Sequence, residues 1–410
     1  MKIGAIIAEY NPFHNGHKYQ IEKFKKESNL DYILIIMSGN FTQRGEPAWM
    51  PKHLRAKMAL LNGADLVLEL PIYYATGSAS VFAEGAIAHL NALGCVDELC
   101  FGCEIDSDPK DFISNLEQAA QIIIDEPESF KTELTKALKN GYSYPAAREK
   151  ALNLFIPKAS SLFSPNNILA LEYMIALKKT KSKIQAKPIQ RTGQGYHSLE
   201  FNDLFASASA LRHKITDISE CHNIKGIPNT CENIIHEQFN KCMPVYINDF
   251  SAMFAHVYMN AKDNLTKYVD INDDIANLII KNIPHFFNLE QMLDHTKTKA
   301  FTHTRLSRCF IHLLTNQTKE YFNLYTENGW AFYARILGFK KDSSLLLRLL
   351  KDASSIPLLT KVSIYKQQLD SMGIKLFEQD LYASELYRMI VQIKYGIELK
   401  NEFTESLVIV

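Results

Sequence analysis

The chain carries no surplus of charge. Its 45 lysines and arginines balance 45 aspartates and glutamates, so the molecule as a whole is not a polycation made to coat nucleic acid, although a neutral total can hide a local basic face. No apolar run is long enough to span a bilayer, so no transmembrane helix and no membrane partner are expected. The opening Met1-Lys2-Ile3-Gly4-Ala5-Ile6-Ile7-Ala8 is too short for a secretory apolar core, and Glu9 follows at once, which argues against export. Cysteine is sparse, seven in 410 residues and scattered, which suits a reducing cytoplasm. Cys100-Phe101-Gly102-Cys103 has the spacing of a redox pair or half a zinc site. Cys221-His222, Cys231 and Cys242 do not supply the second half at the usual spacing. Two buried cysteines at a strand end are the plainer account. Internal repeats and low-complexity tracts are also lacking.

What the sequence does have is an alternation of strands and helices. Lys2–Ala8, Tyr32–Met37, Asp65–Leu70 and Asp97–Phe101 are short apolar runs that read as strands, the last ended by Gly102. Between them, helices are expected from near His17 to Glu27, over Pro51–Leu61 and over Ser78–Leu93, the last ended by Gly94. The stretch from Asp108 to about Leu154 reads as a polar helical excursion. A further helix is expected over Ile168–Lys178, a fifth strand over Lys183–Ile189 and a short helix over Ser207–Ile215. Continuous apolar strands separated by helices imply a parallel α/β sheet covered on both faces. Ligands of such sheets bind beyond the carboxyl ends of the strands, so the loops Glu9–His17, Ser38–Glu46, Pro71–Ser78 and Gly102–Asp106 are where chemistry is expected. After about Thr216, helical spacing dominates, as in Asp270–Ile280, Thr304–Leu314 and Leu376–Ile393. We therefore expect a nucleotide-binding domain over 1–220 and a mostly helical domain over 221–410.

The first loop carries the strongest chemical signal. His14 and His17 stand three apart around Gly16, directly after a strand and a Pro-containing turn, where a helix opens. That spacing puts both rings on one helix face. Unpaired N–H groups and the dipole at a helix start attract phosphate, and Gly16 leaves room for close approach. Two imidazoles can then donate to phosphate oxygens and a leaving pyrophosphate, where one donor is worth roughly 10²–10³ in rate. Two ordinary surface histidines are the bland alternative. A metal site would need a third ligand that the segment does not supply.

Gly4-Ala5-Ile6-Ile7-Ala8-Glu9-Tyr10-Asn11-Pro12-Phe13-His14-Asn15-Gly16-His17 resembles the HxGH nucleotidyltransferases, relatives of the class I aminoacyl-tRNA synthetase catalytic domain. Together with Met37-Ser38-Gly39-Asn40-Phe41-Thr42-Gln43-Arg44-Gly45-Glu46-Pro47-Ala48, Gly63-Ala64-Asp65-Leu66-Val67-Leu68-Glu69-Leu70-Pro71, Phe101-Gly102, Ser164-Pro165-Asn166-Asn167 and Gly193-x-Gly195-Tyr196-His197, it is similar to the bacterial tRNA(Met) cytidine acetate ligases. The resemblance is most specific over residues 1–215. It implies a Rossmann-like fold and a two-step reaction. Acetate and ATP give acetyl-adenylate and pyrophosphate, and the acetyl group passes to the exocyclic amine of the wobble cytidine of elongator tRNA(Met). The residues alone reach only the adenylation step. Mg²⁺ is expected on the ATP phosphates.

On this basis the ATP site is expected to include Ile7, Ala8, Glu9, Tyr10, Asn11, Pro12, Phe13, His14, Gly16, His17 and Gln20. Arg44 follows the second strand, and Gly102 lies where a ribose or adenine could rest against backbone. Asn166 and Asn167 open a helix that one of them could cap. The resemblance implies that one of the pair, Asn167 in first place, touches the nucleotide. Arg191 precedes a glycine-bearing loop. Ser207, Ser209 and Arg212 offer hydroxyls and a cation at a helix start for the outer phosphates. His14, His17, Arg44 and Arg212 are the expected catalytic groups. For RNA, Lys178 to Lys183 with Lys187 and Arg191 form a basic run. Arg305 and Arg308 share a helix side, and Phe332, Tyr333 and Phe339 lie near Arg335, Lys340 and Lys341, although such aromatics are more often core. An adenylyltransferase acting on a small molecule and a non-catalytic ATP-sensing RNA-binding module remain the alternatives.

Overall fold

A computed structural model describes residues 1–105, 108–157, 159–191, 205–221, 224–282, 288–298 and 300–410. The glycine-bearing loop Gly193-x-Gly195-Tyr196-His197 and His222 lie outside the described residues.

The apolar runs form strands β1 (Ile3–Ala8), β2 (Tyr32–Ser38), β3 (Leu66–Leu70) and β4 (Glu98–Cys103), and the more polar Gln185–Gln190 forms β5. These pair in parallel in the order β5-β4-β1-β2-β3. Side chains alternate between the two faces, and each face has its own core. Ile3, Ala5, Leu34, Ile36, Leu66, Leu68 and Leu99 pack on one side, and Ile6, Ile33, Ile35, Met37, Val67 and Cys100 on the other. This two-sided burial is why β1 to β4 read as largely apolar runs rather than alternating ones. β4 does not stop at Gly102: it runs on to Cys103, pairing through to Gln190 of β5.

β1 lies between β2 and β4, so strand order reverses at β1 and a crevice opens beyond its carboxyl end. Helix α1 (Asn15–Glu27) follows β1, and α2 (Lys52–Leu61) links β2 to β3. Pro51 precedes α2 as its cap residue rather than opening its first turn. The helix Ala79–Leu93 starts on the Ser78 hydroxyl and ends at Gly94, whose left-handed φ of 71° stops it. Helices Pro109–Asp125, Glu128–Lys139 and Tyr144–Leu152 make up the excursion before the helix Pro165–Lys179.

Beyond 221 most elements are helices, among them Asp273–Asn282, His303–Leu314 and Ser371–Tyr395. This part also contributes strands to the same sheet. β6 (Ala334–Phe339) runs antiparallel to β3, and β7 (Leu358–Leu359) and β8 (Val408–Ile409) flank β6. Across the β3–β6 join, Glu69 stands opposite Arg335. Lys52 Nζ reaches Glu69 at 2.7 Å, Glu402 at 2.8 Å and the Ser384 hydroxyl at 2.9 Å, while Arg335 pairs with both carboxylates. Two cations and two carboxylates thus cancel inside the protein, the condition under which buried charge is tolerated. Asp380 joins this region by accepting from the Tyr333 hydroxyl and the Ile72 N–H. Among the described residues no helix is long and apolar enough to cross a membrane.

Candidate functional site

A cavity of about 200 Å³ opens at the reversal of strand order. Ile7 and Ala8 from the end of β1, and Glu9, Tyr10 and Asn11 after it, form one wall. His14, His17 and Gln20 come from α1 and its cap, and Thr42, Gln43 and Arg44 from the loop after β2. Phe101 and Gly102 of β4 and Arg191 after β5 lie opposite, and Ser207, Ser209 and Arg212 close the mouth. Pro12 and Phe13 are buried beneath the loop and do not line the cavity; nor does Gly16.

The two histidines are fixed by each other. His14 caps α1, its Nδ1 accepting from the Gly16 N–H at 3.1 Å, while its own N–H donates to His17 Nδ1 at 3.3 Å. The rings stack with centroids 3.6 Å apart. Because each Nδ1 accepts a backbone N–H, the neutral form of each ring carries its proton on Nε2. Burial, then the Arg191 charge, pushes His14 down to about 3. Burial, then His14 and Arg191, holds His17 well below its ordinary value. The pair is therefore neutral at physiological pH and offers two Nε2–H donors. Tyr10 supports it from below, its ring 4.7 Å from His17 and 4.8 Å from Phe13, on a left-handed backbone of φ 49°. Such a conformation costs a bulky residue about 1–3 kcal/mol and persists only where its surroundings fix it.

The start of α1 differs from expectation in one respect. Its first N–H groups are already partnered: Asn15 N donates to Gly226 O, Gly16 N to the His14 ring and His17 N to His14 O. An anion here would meet imidazole Nε2–H donors and arginines before it met open backbone. Among the described lining residues, Arg44, Arg191 and Arg212 supply three cations against one carboxylate, Glu9. Arg212 Nη1 donates to Asn11 O at 2.6 Å, and its Nη2 lies 3.5 Å from the Ser209 hydroxyl and 3.9 Å from Glu46. Ser207 is committed as the cap of the helix Ala208–Lys214. Gln20 donates to Cys100 Sγ at 3.6 Å.

Among solved structures, "Crystal structure of Thermotoga maritima TmcAL bound with alpha-thio ATP (Form II)" matches with a TM-score of 0.91 at 28% identity, covering 100% of both chains. The apo form of that protein matches at 0.92. A model of the HIGH Nucleotidyl Transferase family matches residues 1–402. A curated tRNA(Met) cytidine acetate ligase of Thermoanaerobacter sp. (strain X514) is 38% identical over 393 residues, 95% of each chain. One of Acetivibrio thermocellus is 36% identical over the full length of both. The chain belongs to this family.

Within that family frame, the asparagine assignment changes. Asn167 is fully buried, and its amide is spent on backbone: Oδ1 accepts from Glu104 N, and Nδ2 donates to Glu104 O and Ser161 O. Asn166 is the one that lines the cavity, donating to Glu104 Oε1 at 2.6 Å and facing Arg191. Neither side chain caps the helix. Leu169 and Tyr173 continue the Asn166 face, and Phe82 joins them as an apolar wall. The sequence reading missed these three as core, although the 166, 169, 173 spacing marks one helix side.

Arg55 was also missed. It is fully buried on α2, and its guanidinium donates to the carbonyls of Met50, Glu9, Ser38 and Gly39. It thereby ties the loop after β1 to the end of β2.

Cys100, Cys103, Arg308 and Arg335 are engaged inside the fold. Cys100 and Cys103 are buried in β4, and burial raises both thiols, Cys103 to about 12. No group of metal-binding side chains occurs among the described residues. Lys178 to Lys183 begin at the carboxyl end of the helix whose Asn166, Leu169 and Tyr173 line the cavity, about 18 Å from Asn166 at 1.5 Å per residue. Arg308 pairs with Asp270, Tyr333 is core, and Arg335 belongs to the buried ion cluster.

Two predictions arise here. A Cβ at Gly16 would lie 2.9 Å from His14 Cε1 and 3.0 Å from Nδ1. Gly16→Ala should displace the His14 ring and lower kcat/KM for pyrophosphate release about tenfold, since small misplacements of positioned groups carry large rate costs. Steady-state kinetics check this, and an unchanged kcat/KM would contradict it. The second concerns pH. Burial pushes His14 to about 3 and His89 to about 4, whereas an unfolded histidine protonates near 6.5. Below that value the unfolded chain binds protons the folded one refuses, so stability is full above about pH 7 and lost as pH falls. Each costs about 2 kcal/mol between pH 7 and pH 5. Asp380, pushed up to about 7 by burial and then by Glu69, works the other way and offsets one of them. The urea midpoint should fall over this window, and a flat midpoint would contradict the assignment.

Proposed function

We propose that the chain is an ATP-dependent ligase that activates acetate as acetyl-adenylate and acetylates the exocyclic amine of the wobble cytidine of elongator tRNA(Met), giving N4-acetylcytidine. The observation that carries this is the cavity at the end of β1, with its two neutral imidazoles and three arginines, in a chain that matches a neighbour bound with alpha-thio ATP over its whole length. In this reading a carboxylate oxygen attacks the α-phosphorus and pyrophosphate leaves. The Nε2–H donors of His14 and His17 take up the developing charge, and Arg44, Arg191 and Arg212 hold the phosphates. Binding both the mixed anhydride and the cytidine amine in one site would then promote transfer by proximity.

Mg²⁺ would accompany ATP. Glu9 is the one carboxylate among the described cavity residues, a donor set that suits an ion held mainly by phosphate oxygens and water. We assign the ATP site to residues 1–220 and tRNA contact chiefly to 221–410, in the cytoplasm where tRNA is found. The helix His303–Leu314 joins the two parts next to the ATP site: its Ser307 hydroxyl donates to Gly45 O at 2.6 Å, beside Arg44. Gly45 has φ +75°, and a Cβ there would lie 2.2 Å from Arg308 N.

The test is incubation with labelled acetate, ATP and elongator tRNA(Met), followed by nucleoside mass spectrometry. Acetate-dependent pyrophosphate release and label in N4-acetylcytidine are expected. Pyrophosphate release with no label in tRNA would replace the reading with a small-molecule adenylyltransferase.

A further inference from the structure

We propose that Glu9 is the proton acceptor of the acetyl-transfer step, receiving the proton that the cytidine amine loses as it is acetylated. This rests on the function proposed above and adds a residue for its second half. In that half the amine nitrogen attacks the carbonyl carbon of acetyl-adenylate. The new C–N bond forms and the C–O bond to the AMP phosphate breaks, its electron pair leaving with AMP. The nitrogen, which began with two hydrogens, keeps one and gives the other to the Glu9 carboxylate, which returns it to water.

The assignment is by elimination among the described residues that line the cavity. The histidines are poor candidates because each Nδ1 already accepts a backbone N–H, so Nε2 bears the proton and no ring lone pair faces the substrate. Arg44, Arg191 and Arg212 are cations. Tyr10 and Tyr173 are phenols that burial keeps protonated. Asn, Gln, Ser and Thr side chains are too weakly basic to hold a proton. Glu9 is the one carboxylate.

Its placement suits the task. Glu9 is the first residue after β1, between the strand and the histidine-bearing turn, and Gln43 N–H holds Oε1 at 2.7 Å. One oxygen is thus anchored to the loop after β2. The charged and titratable groups around it are Arg44 after β2, Arg55 on α2, Arg212 on the helix Ala208–Lys214 and Tyr173 on the helix Pro165–Lys179. Burial raises Glu9 above its ordinary value, against the Gln43 hydrogen bond and the three arginines. A carboxylate raised in this way is a better base than one in open water.

A purely structural Glu9 would only fix the Gln43 turn. Glu9→Gln separates the two roles, because the amide oxygen can still accept from Gln43 N–H but cannot hold a proton. The measurement is single-turnover transfer from enzyme-bound acetyl-adenylate to tRNA, beside ATP–pyrophosphate exchange without tRNA. The variant is expected to slow transfer about 10²-fold more than exchange, and to lack the rise of transfer rate with pH that the unaltered enzyme is expected to show. Glu9→Asp, which retains a carboxylate, should recover part of the transfer rate. Equal losses in both reactions, or a preserved pH rise in Glu9→Gln, would overturn the proposal. Unaltered enzyme that makes no N4-acetylcytidine would instead overturn the function beneath it, and the proposal with it.

Discussion

Alanine at position 17 is expected to slow acetate-dependent pyrophosphate release by about 10²–10³-fold, with a much smaller change in KM for ATP. The loss follows from what His17 offers: a neutral Nε2–H donor, fixed because Nδ1 accepts the His14 N–H. A donor already held in place stabilises charge that appears only in the transition state, which lowers kcat rather than ground-state binding. His14→Ala should cost at least as much rate. It should also lower stability by about 1 kcal/mol, because the His14 ring caps α1 through Gly16 N. Rapid-quench measurement of pyrophosphate with saturating ATP and acetate reads the first effect, and chemical denaturation reads the second. A His17→Ala protein within threefold of the unaltered one would remove the imidazole pair from the mechanism.

The largest stability effect is expected at Arg55. Arg55→Ala leaves the carbonyls of Glu9, Ser38, Gly39 and Met50 without their shared donor. It also leaves Glu9 and Glu69 without a cation that burial has already lowered to about 10 against their pull. Removing one partner from a buried charged network costs about 3–5 kcal/mol, a large share of a typical folding free energy. Arg55→Lys should recover only part of this, since an ammonium cannot reproduce the planar fork that reaches several carbonyls at once. Urea denaturation of both variants measures the difference. A lysine variant as stable as the original would show that charge alone, not fork geometry, ties the loops together.

Arg55 also illustrates what the sequence could not reveal. On α2 it looks like an ordinary basic residue of a helix face, and its burial depends on three backbone segments that only the fold brings together. The five parallel strands, by contrast, were legible to within about two residues; burial on both faces writes β1 to β4 as largely apolar runs, while β5 is a more polar, half-exposed edge. β6 (Ala334–Phe339) carries an apolar run broken by Arg335, yet nothing local shows that it joins the parallel sheet. The partner segments of β6 and β8 lie far away in sequence, and β8 is two residues long, too short for periodicity to register. The histidine pair was legible because its spacing, glycine and preceding strand are all local. The choice between Asn166 and Asn167 was not, since adjacent helix positions point about 100° apart and only the packed helix reveals which one faces inward. The same limit hid Tyr173 and Phe82, apolar residues that look alike whether they fill a core or wall a pocket.

The shared sheet has a consequence for how the protein is made. Lys52 and Ser384 stand 332 positions apart yet touch, and Glu402 completes the same cluster. While a ribosome is still reading the middle of the message, β3 has an unpaired edge and Lys52 lacks its later partners. The nascent nucleotide-binding half must therefore wait, incompletely assembled, for residues translated long afterwards. A stop codon a few turns of helix early would remove Glu402 and β8, leaving Lys52 and Arg335 with one fewer buried carboxylate and β6 without the pairing strand at its end.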